Sequence, residues 1–215
     1  AGFACQVPVF RFALERWERD SYTLVIVPGA SGKLSPAENE VRKILESGGG
    51  ADLGNLNLEV RLDPQKIGES SAATMQLFYP PRSTGPRLPP IWSGALTMAN
   101  TKTLVDSSAR REIVNRLLSG ESAVWVLIES GNKEKDDRAV VEIEKAIAKA
   151  EAELKISDGV LTVAEARKVS AGNERDPDAT LRSSIPLKIK FSLMRIARAN
   201  SEESIFREML LHMEA

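Results

Sequence analysis

The sequence predicts an α/β protein, and two stretches about a hundred residues apart carry that prediction. The first reads YTLVIV over Tyr22–Val27, and the second reads AVWVLI over Ala123–Ile128. Near-continuous apolar runs rich in β-branched residues are typical of strands covered on both faces, although a run this short also fits a buried helix. Each run is followed by a turn and an amphipathic helical pattern. Alternation of strand and helix predicts the α/β class.

A short helix is predicted over residues 8–17, with a proline at its start. Val9, Phe12 and Ala13 can share one face of this helix, and Trp17 lies one turn further on. The strand over Tyr22–Val27 follows after a charged turn.

Three signals agree on the start of the next helix. Ser35 is a preferred N-cap residue, Pro36 suits the first helical position, and Glu38 completes a capping box. The apolar face of this helix is formed by Val41, Ile44 and Leu45. Three successive glycines end it.

Three strand patterns and a helix complete the first half of the chain. The strand patterns cover residues 56–62, 73–79 and 91–97. The first of them alternates apolar and polar residues, which predicts a strand with one solvated face. Ser107 or Ser108 then caps a helix that Gly120 ends.

The second half predicts a long helix that starts near Asp136, where Asp136 and Asp137 suit the positive end of the helix dipole. Its apolar face is formed by Val140, Ile143, Ile147, Ala150 and Leu154. Residues 156–166 fit a strand or a helix, and residues 168–184 are polar and predict an exposed excursion. A strand within residues 186–199, where apolar residues alternate from Leu187 to Leu193, and a last helix after Ser201 follow.

These elements predict two domains, over residues 1–120 and 121–215. The second half has no closing hairpin like that of the first. We therefore expect either that the natural chain continues past Ala215 or that the second half packs onto the first without completing itself.

Composition narrows the classes of function. The 215 residues carry a formal net charge of −1, so composition does not indicate nucleic-acid binding. No apolar run approaches the roughly 20 residues of a membrane span, and we expect a soluble chain. The first residues are compatible with an exported protein after signal removal and equally with a cytoplasmic one.

The chain has one cysteine, Cys5, and one histidine, His212. An intrachain disulfide and a cysteine-based metal site are therefore excluded, and no metal or cofactor is expected. His212 lies near the C-terminus on a predicted surface helix, where a catalytic role is not expected. Cys5 precedes a helix N-terminus, a place that can lower a thiol pKa. The hypothesis of a single reactive thiol stands beside the simpler one of a small buried side chain.

A glycine-containing turn between the first strand and its helix invites a phosphate-loop interpretation. The candidate residues for an anion or a nucleotide are Gly29, Gly32, Lys33 and Ser35. A Walker motif requires glycine at position 27 and serine or threonine at position 34, where the chain has Val27 and Leu34. An anion could still bind at the N-terminus of the helix.

A proline-rich stretch separates the second and third of the three strand patterns. It reads PPRSTGPRLPP and predicts an extended loop from which Arg82 and Arg87 project. Trp92 follows it closely. The loop either connects two strands or, with Trp92, holds a partner.

The order helix, strand, helix, strand, strand, strand, helix over residues 8–119 resembles the thioredoxin fold. The stretch Trp92-Ser-Gly-Ala-Leu-Thr and the helix after it are similar to the last strand and helix of that family. The resemblance implies a three-layer sandwich, and the second half is similar to a partial copy of the same βαβ unit.

The chain departs from the thioredoxin pattern at the positions that carry its chemistry. The turn between Pro28 and Ser35 contains no Cys-X-X-Cys pair, and Ser71-Ala72-Ala73 stands where the family places a cis-proline. The resemblance therefore supports the architecture and counts against oxidoreductase activity.

The chain also resembles a group of bacterial proteins that share CxVPVFRxALERW near the start and SAVWVLxESG in the middle. These motifs correspond here to residues 5–17 and 122–131. We expect a non-catalytic, thioredoxin-like interaction or scaffold protein with a protein partner. The alternatives are a thiol protein using Cys5 and an anion- or nucleotide-binding domain.

Overall fold

The computed structural model describes residues 7–18, 20–47, 57–80, 89–156, 159–162, 165, 168 and 180–212. These residues form a mixed α/β structure, which confirms the predicted class. The chain divides into two compact units. Unit 1 combines Ala1–Glu18 with Glu112–Arg198, and unit 2 combines Arg19–Arg111 with Ala199–Ala215.

The described residues contain both helices and strands. The helices are α1 (Val9–Arg16), α2 (Pro36–Glu46), α3 (Met98–Val105), α4 (Ser108–Leu118), α5 (Lys133–Glu153) and α6 (Ser204–Leu211). The strands are β1 (Tyr22–Val27), β2 (Leu58–Leu62), β3 (Thr74–Phe78), β4 (Trp92–Ala95), β5 (Ala123–Ile128), β6 (Leu161–Thr162), β7 (Thr180–Leu181) and β8 (Phe191–Ile196).

Unit 2 contains a mixed four-stranded sheet in the order β2-β1-β3-β4. β1 is parallel to β2, because α2 carries the chain back between them, and β3 is antiparallel to both β1 and β4. The predicted capping box at the start of α2 is confirmed: Glu38 N–H donates to Ser35 Oγ at 3.3 Å, and Ser35 N–H donates to the Glu38 carboxylate at 2.7 Å.

The core of unit 2 lies on one face of this sheet. Leu24 and Ile26 of β1 stand directly opposite Leu77 and Met75 of β3, so the four side chains point to the same face. Helices α2, α3 and α6 complete the cluster with Val41, Leu45, Leu104, Val105, Ile205 and Met209. Pairing and burial together fix the register of this sheet, since a slip of one residue would expose the whole apolar set.

Unit 1 is built around a parallel pair of strands, β5 and β8, which α5 connects. α5 packs on β8, and the short parallel pair β6 and β7 lies near α1. The strand predicted within residues 186–199 is found at Phe191–Ile196. α5 begins three residues before the predicted start, because Asn132 Oδ1 accepts from Lys135 N–H at 3.1 Å and caps the helix there.

β5 does not have the place that its sequence predicts. Its continuous apolar run indicates a strand in the interior of a sheet, whereas the described residues pair it with β8 alone. Trp125, in the middle of the strand, is 55% exposed. An apolar sequence predicts a strand, but it does not show how many other strands pair with that strand.

The two units also group the chain differently from the predicted domains over residues 1–120 and 121–215. Each unit draws on two separate stretches. The first helix belongs with the later half because its side chains bind residues 180–186, and the last helix contributes Ile205 and Met209 to the core of unit 2. Such contacts, between residues far apart in sequence, leave no local signal.

Candidate functional site

Helix α1 of unit 1 buries its charged residues and exposes its apolar ones. Arg11 is 2% exposed, whereas Val9 is 75% exposed and Trp17, directly after the helix, is 65% exposed. Leu14 is also exposed, and Phe10 and Ala13 are half-buried. An amphipathic helix normally packs its apolar face inward. The face that groups Val9 with Trp17 therefore lies outside rather than in the core.

The buried face of α1 is held by a charged network. Arg11 Nε donates to Glu15 Oε1 at 2.9 Å, one helical turn away, and both side chains are at most 3% exposed. The rest of the Arg11 guanidinium donates to Ser183 Oγ at 2.9 Å and to the Ile185 carbonyl. Arg16 donates to the Thr180 carbonyl. A buried guanidinium needs this degree of hydrogen bonding to offset its desolvation.

Glu15 is the acceptor at the centre of the network. Its carboxylate accepts from Arg182 N–H at 2.6 Å and from Ser183 Oγ at 2.8 Å. Burial acts to raise the pKa of Glu15, but these hydrogen bonds and the one from Arg11 outweigh burial and hold the pKa below its ordinary value. Glu15 is therefore ionised at neutral pH and neutralises Arg11.

A cavity of about 350 Å³ lies beside the exposed face of α1. It is lined by Phe10, Arg11, Leu14, Ile113, Leu117, Glu121, Ser122, Ala123 and Val124. Val114 and Leu118 of α4 are also exposed. We call the apolar side chains of these two helices, together with Trp17, the α1–α4 surface; its members are Val9, Phe10, Leu14, Trp17, Ile113, Val114, Leu117 and Leu118. A concave apolar surface with few polar groups is typical of a binding site.

Polar groups at the rim of this cavity are engaged by the chain itself. The Arg11 guanidinium is neutralised by Glu15, and the Glu121 carboxylate accepts from Ser192 Oγ. Ser122 Oγ donates to the Lys188 carbonyl. The arrangement therefore favours apolar contacts over proton transfer or nucleophilic chemistry.

The predicted anion site lies in unit 2, in the turn between β1 and α2. Its backbone is held by hydrogen bonds from Ala30 N–H to the Ser70 carbonyl and from Gly32 N–H to the Gly29 carbonyl, both 2.8 Å long. Gly32 has φ +67°, a conformation that glycine adopts readily. Lys33 N–H donates to Ser31 Oγ at 3.3 Å.

Glu38 occupies the place at the start of α2 where an anion would bind. Its carboxylate accepts from Ser35 N–H and from Ala73 N–H, each at 2.7 Å. Burial acts to raise the pKa of Glu38, and these bonds outweigh it and lower the pKa. A carboxylate of the chain thus already uses the positive end of the helix dipole. Anion or nucleotide binding at Gly29, Gly32, Lys33 and Ser35 stays a prediction.

Trp92 packs on the core of unit 2. It is half-buried at the edge of the apolar cluster, and its ring lies so close across Gly94 that a Cβ there would stand 2.3 Å from a ring carbon. Gly94 thus allows the indole to lie flat on the strand. A role for Trp92 in binding a partner stays a prediction. Cys5, Arg82 and Arg87 lie outside the described residues, and so does the proline-rich loop between positions 81 and 88.

A second buried arginine, which the sequence analysis missed, lies in unit 2. Arg110 is 6% exposed, and its guanidinium stands 5.1 Å from the centre of the Phe206 ring. Burial lowers the pKa of Arg110, against the opposing effect of Glu203 and other neighbours. Glu203 accepts from Ala109 N–H at 2.8 Å and from Ser108 Oγ at 2.9 Å, and so caps α4 from a distance of about ninety residues in sequence.

Three further features concern chemistry. The exposed His212 ring contacts the Glu208 carbonyl one turn earlier in the chain. Over the described ranges, no group of three or more His, Cys, Asp or Glu side chains is placed to hold a metal ion. In the same ranges no helix has the length and apolarity needed to cross a membrane.

Comparisons with known proteins leave the chain without a match. No protein-family model matches it, and neither does any curated protein or any solved structure.

Proposed function

We propose that this protein is a non-catalytic interaction protein that binds a partner protein through the α1–α4 surface. The observation that carries the proposal is the reversed burial of α1, with Arg11 inside and Val9 and Trp17 outside. Exposed, contiguous apolar side chains rimmed by polar residues are typical of protein interaction sites.

We further propose that the chain is thioredoxin-like in architecture. Strand β1, helix α2, strands β2, β3 and β4, and helix α3 follow one another in the order that the resemblance implies. A parallel crossover followed by an antiparallel hairpin gives a mixed sheet of the expected kind. The turn between β1 and α2 holds Ser31 and Lys33 where a thioredoxin would need a dithiol. Architecture without this pair favours binding over redox chemistry.

Physical magnitudes favour a partner on this surface. Burying one exposed large apolar side chain is worth about 1.5–3 kcal/mol, and binding energy usually concentrates in a few such anchors. Val9, Leu14 and Trp17 lie along one side of α1, and the cavity gives a partner side chain a place to insert. Because Arg11 and Glu15 fix the opposite side of the helix, the surface is presented on a rigid element.

A photo-crosslinking residue placed at Trp17 tests the proposal in cells that make the protein. The matched control carries the same residue at Ile67, which is 63% exposed but belongs to unit 2. We expect the Trp17 position to give a discrete crosslinked protein that the Ile67 position does not give, and Leu14→Glu to remove it. Equal crosslinking from both positions would contradict the proposal.

A further inference from the structure

Strand β5 of unit 1 has a paired strand on one side only among the described residues. Parallel strands occur almost entirely inside sheets that are covered on both sides. β5 and β8 instead form a parallel pair, and the described residues place no strand on the other side of β5. The sequence AVWVLI is that of an interior strand, and Trp125 is exposed in its middle.

Backbone groups point outward along this edge. Glu129 N–H donates to the Ile196 carbonyl at 3.0 Å, at the end of the parallel register that runs from Ala123 opposite Phe191 to Ile128 opposite Ile196. In a parallel pair, alternate residues direct their N–H and C=O groups to the partner strand and the residues between them direct theirs away. Ala123, Trp125 and Leu127 share the parity of Glu129 and bond to β8, so Val124, Val126 and Ile128 present backbone donors and acceptors to the open side.

β5 lacks the features that protect the edges of natural sheets. Edge strands are usually blunted by charged side chains, by proline or by a bulge. β8 follows that rule, with Arg195 within the strand and Lys190 just before it. All six residues of β5 are apolar, and its register with β8 is uninterrupted. The contrast between the two strands points to β5 as the edge that is meant to be paired.

Residues of β8 contact a helix on each face of the pair that β5 and β8 form. Arg116 of α4 donates to Ser192 Oγ, and Ser192 shares a face with Val124. Arg195 shares the other face with Trp125 and Leu127, and it reaches Asp137 of α5 at 3.4 Å. An added strand would therefore extend a sheet that already contacts helices, and it would lie beside Trp125.

We propose that the edge of β5 binds an extended segment of another protein, which adds to the sheet as a third strand. Only an extended chain can satisfy the row of backbone groups at Val124, Val126 and Ile128. The segment would carry apolar residues at alternate positions, since the neighbouring side chains on both faces of β5 are apolar. The inference goes beyond the proposed function, because it uses none of the α1–α4 surface and stands without it.

Charge defines the occupant more closely. Glu121, just before β5, accepts from Ser192 Oγ, and in the portion of the chain described it forms no ion pair. A lysine or arginine at one end of the bound segment would therefore be favoured next to Glu121. The same charge disfavours a second copy of this chain: pairing two β5 strands about Trp125 places Glu121 opposite Glu129 of the copy, which opposes like charges.

A display library of random 12-residue peptides, selected on the full chain, tests the inference. Counter-selection uses Trp125→Lys, which places a protecting charge on the edge but leaves the pairing with β8 intact. We expect enriched peptides with alternating apolar residues and a basic residue at one end. No enrichment over the counter-selection, or peptides with apolar residues at helical spacing, would overturn the inference.

Measurements on the best peptide, labelled with fluorescein, sharpen the test. We expect Trp125→Lys to weaken its binding at least tenfold, while Leu154→Lys, which changes another exposed residue of unit 1, leaves the affinity within twofold. N-methylation of alternate peptide amides should also cost at least tenfold, and this readout does not depend on the folding of any variant. One set of alternate amides faces β5 and the other faces away, so the inference would be overturned if N-methylation of each set in turn left the binding undiminished.

A separate measurement tests whether β5 pairs instead with β5 of a second copy of this chain. A concentration-dependent dimer in light scattering that Trp125→Lys abolishes would overturn the inference in favour of self-pairing. A result at the α1–α4 surface changes neither outcome, because the peptide experiment reads the β5 edge alone.

Discussion

Unit 2 surrounds one face of its sheet with apolar side chains, whereas unit 1 places a charged network beneath its first helix and leaves apolar side chains exposed. Leu24, Met75 and Leu77 in unit 2 are fully buried. In unit 1 the side chains of Arg11 and Glu15 are nearly as deeply buried, while Val9 and Trp125 are exposed. The difference teaches that unit 2 is stabilised by an ordinary apolar core, while unit 1 leaves several large apolar side chains exposed and buries charged ones instead.

The tryptophans allow this comparison to be tested unit by unit. Trp92 belongs to unit 2, and Trp125 belongs to unit 1. Two backgrounds, each with the other two tryptophans changed to phenylalanine, report the unfolding of one unit by fluorescence. If a variant shifted the unfolding midpoints of both reporters equally, the substituted residue would stabilise both units, and the comparison would fail at that position.

Arg11→Met should have the largest effect on stability. It leaves the buried Glu15 without its cation, and breaking a buried ion pair by removing one partner costs about 3–5 kcal/mol. We expect this loss of stability to appear in urea unfolding followed by the fluorescence of Trp125. The control is Lys43→Met, which breaks a pair with Glu40 that is 67% and 68% exposed and should cost about 0–1 kcal/mol. Similar losses of stability for the two variants would contradict the conclusion that the buried charged network stabilises unit 1.

Leu77→Ala should destabilise unit 2 as Arg11→Met destabilises unit 1. Leu77 is 0% exposed and stands opposite Leu24 and Trp92. Removing a buried leucine side chain costs about 2–5 kcal/mol, because the cavity closes only in part. The Trp92 reporter should show the loss in urea unfolding. Its control, Leu62→Ala at a more exposed position of the same sheet, should change stability far less.

Gly29→Ala should destabilise unit 2 by a smaller amount. A Cβ at Gly29 would stand 2.3 Å from the Ser71 carbonyl oxygen, so the backbone must move, at a cost of about 1–3 kcal/mol. Gly68→Ala is the control, because its nearest neighbour, the Pro28 carbonyl oxygen, is 3.1 Å away. Thermal unfolding followed by the Trp92 reporter should give Gly29→Ala a lower melting temperature than Gly68→Ala. The reverse order of melting temperatures would contradict this account of the turn.

Acid should weaken the two units through different carboxylates. The pKa values of Glu15 in unit 1 and Glu38 in unit 2 are both lowered in the folded protein. Their contributions are therefore present above the unfolded pKa of about 4.3 and are lost as the pH falls through the lower folded values. We expect Glu15→Gln to flatten the acid dependence of the Trp125 reporter only, and Glu38→Gln that of the Trp92 reporter only. A change in the opposite reporter would count against this assignment.

Trp17→Ser should change stability least. The side chain is 65% exposed, and substitutions at such positions usually stay within about 0.5 kcal/mol. If the α1–α4 surface binds a partner, the same variant should weaken that binding at least tenfold, because exposed aromatic residues are frequent anchors of interfaces. A marked loss of stability with unchanged binding would show that Trp17 supports the fold instead.

Local signals in the sequence predicted the elements whose stabilising contacts are local. The start of α2 follows from Ser35, Pro36 and Glu38, because a capping box involves residues only three apart. β1 was predicted at its observed bounds, since its apolar run is interrupted at both ends. The short helix α3 was missed, because the strand pattern over residues 91–97 extends to Thr97, which is the N-cap of that helix.

The features of unit 1 that concern function could not be predicted in this way. The burial of Arg11 depends on Ser183 and Ile185, more than 170 residues later in the chain. Its own neighbourhood therefore reads as an ordinary amphipathic helix. Asp136 likewise reads as a helix-start charge, whereas its carboxylate accepts from Ser130 N–H and Gly131 N–H in the preceding turn. Such acceptors become recognisable only when the turn is folded.

The interleaving of the two units has a consequence for synthesis on the ribosome. Helix α1 emerges long before the acceptors for Arg11, which lie near residue 185. At about 5–20 residues per second, translation delays their meeting by roughly 10–35 s. Through that interval Arg11 and Glu15 lack their hydrogen-bond partners from residues 182–185, and the apolar side chains of α1 stay exposed. A chaperone that shields the emerging chain should therefore raise the yield of this protein more than that of one whose first helix folds against its immediate successors.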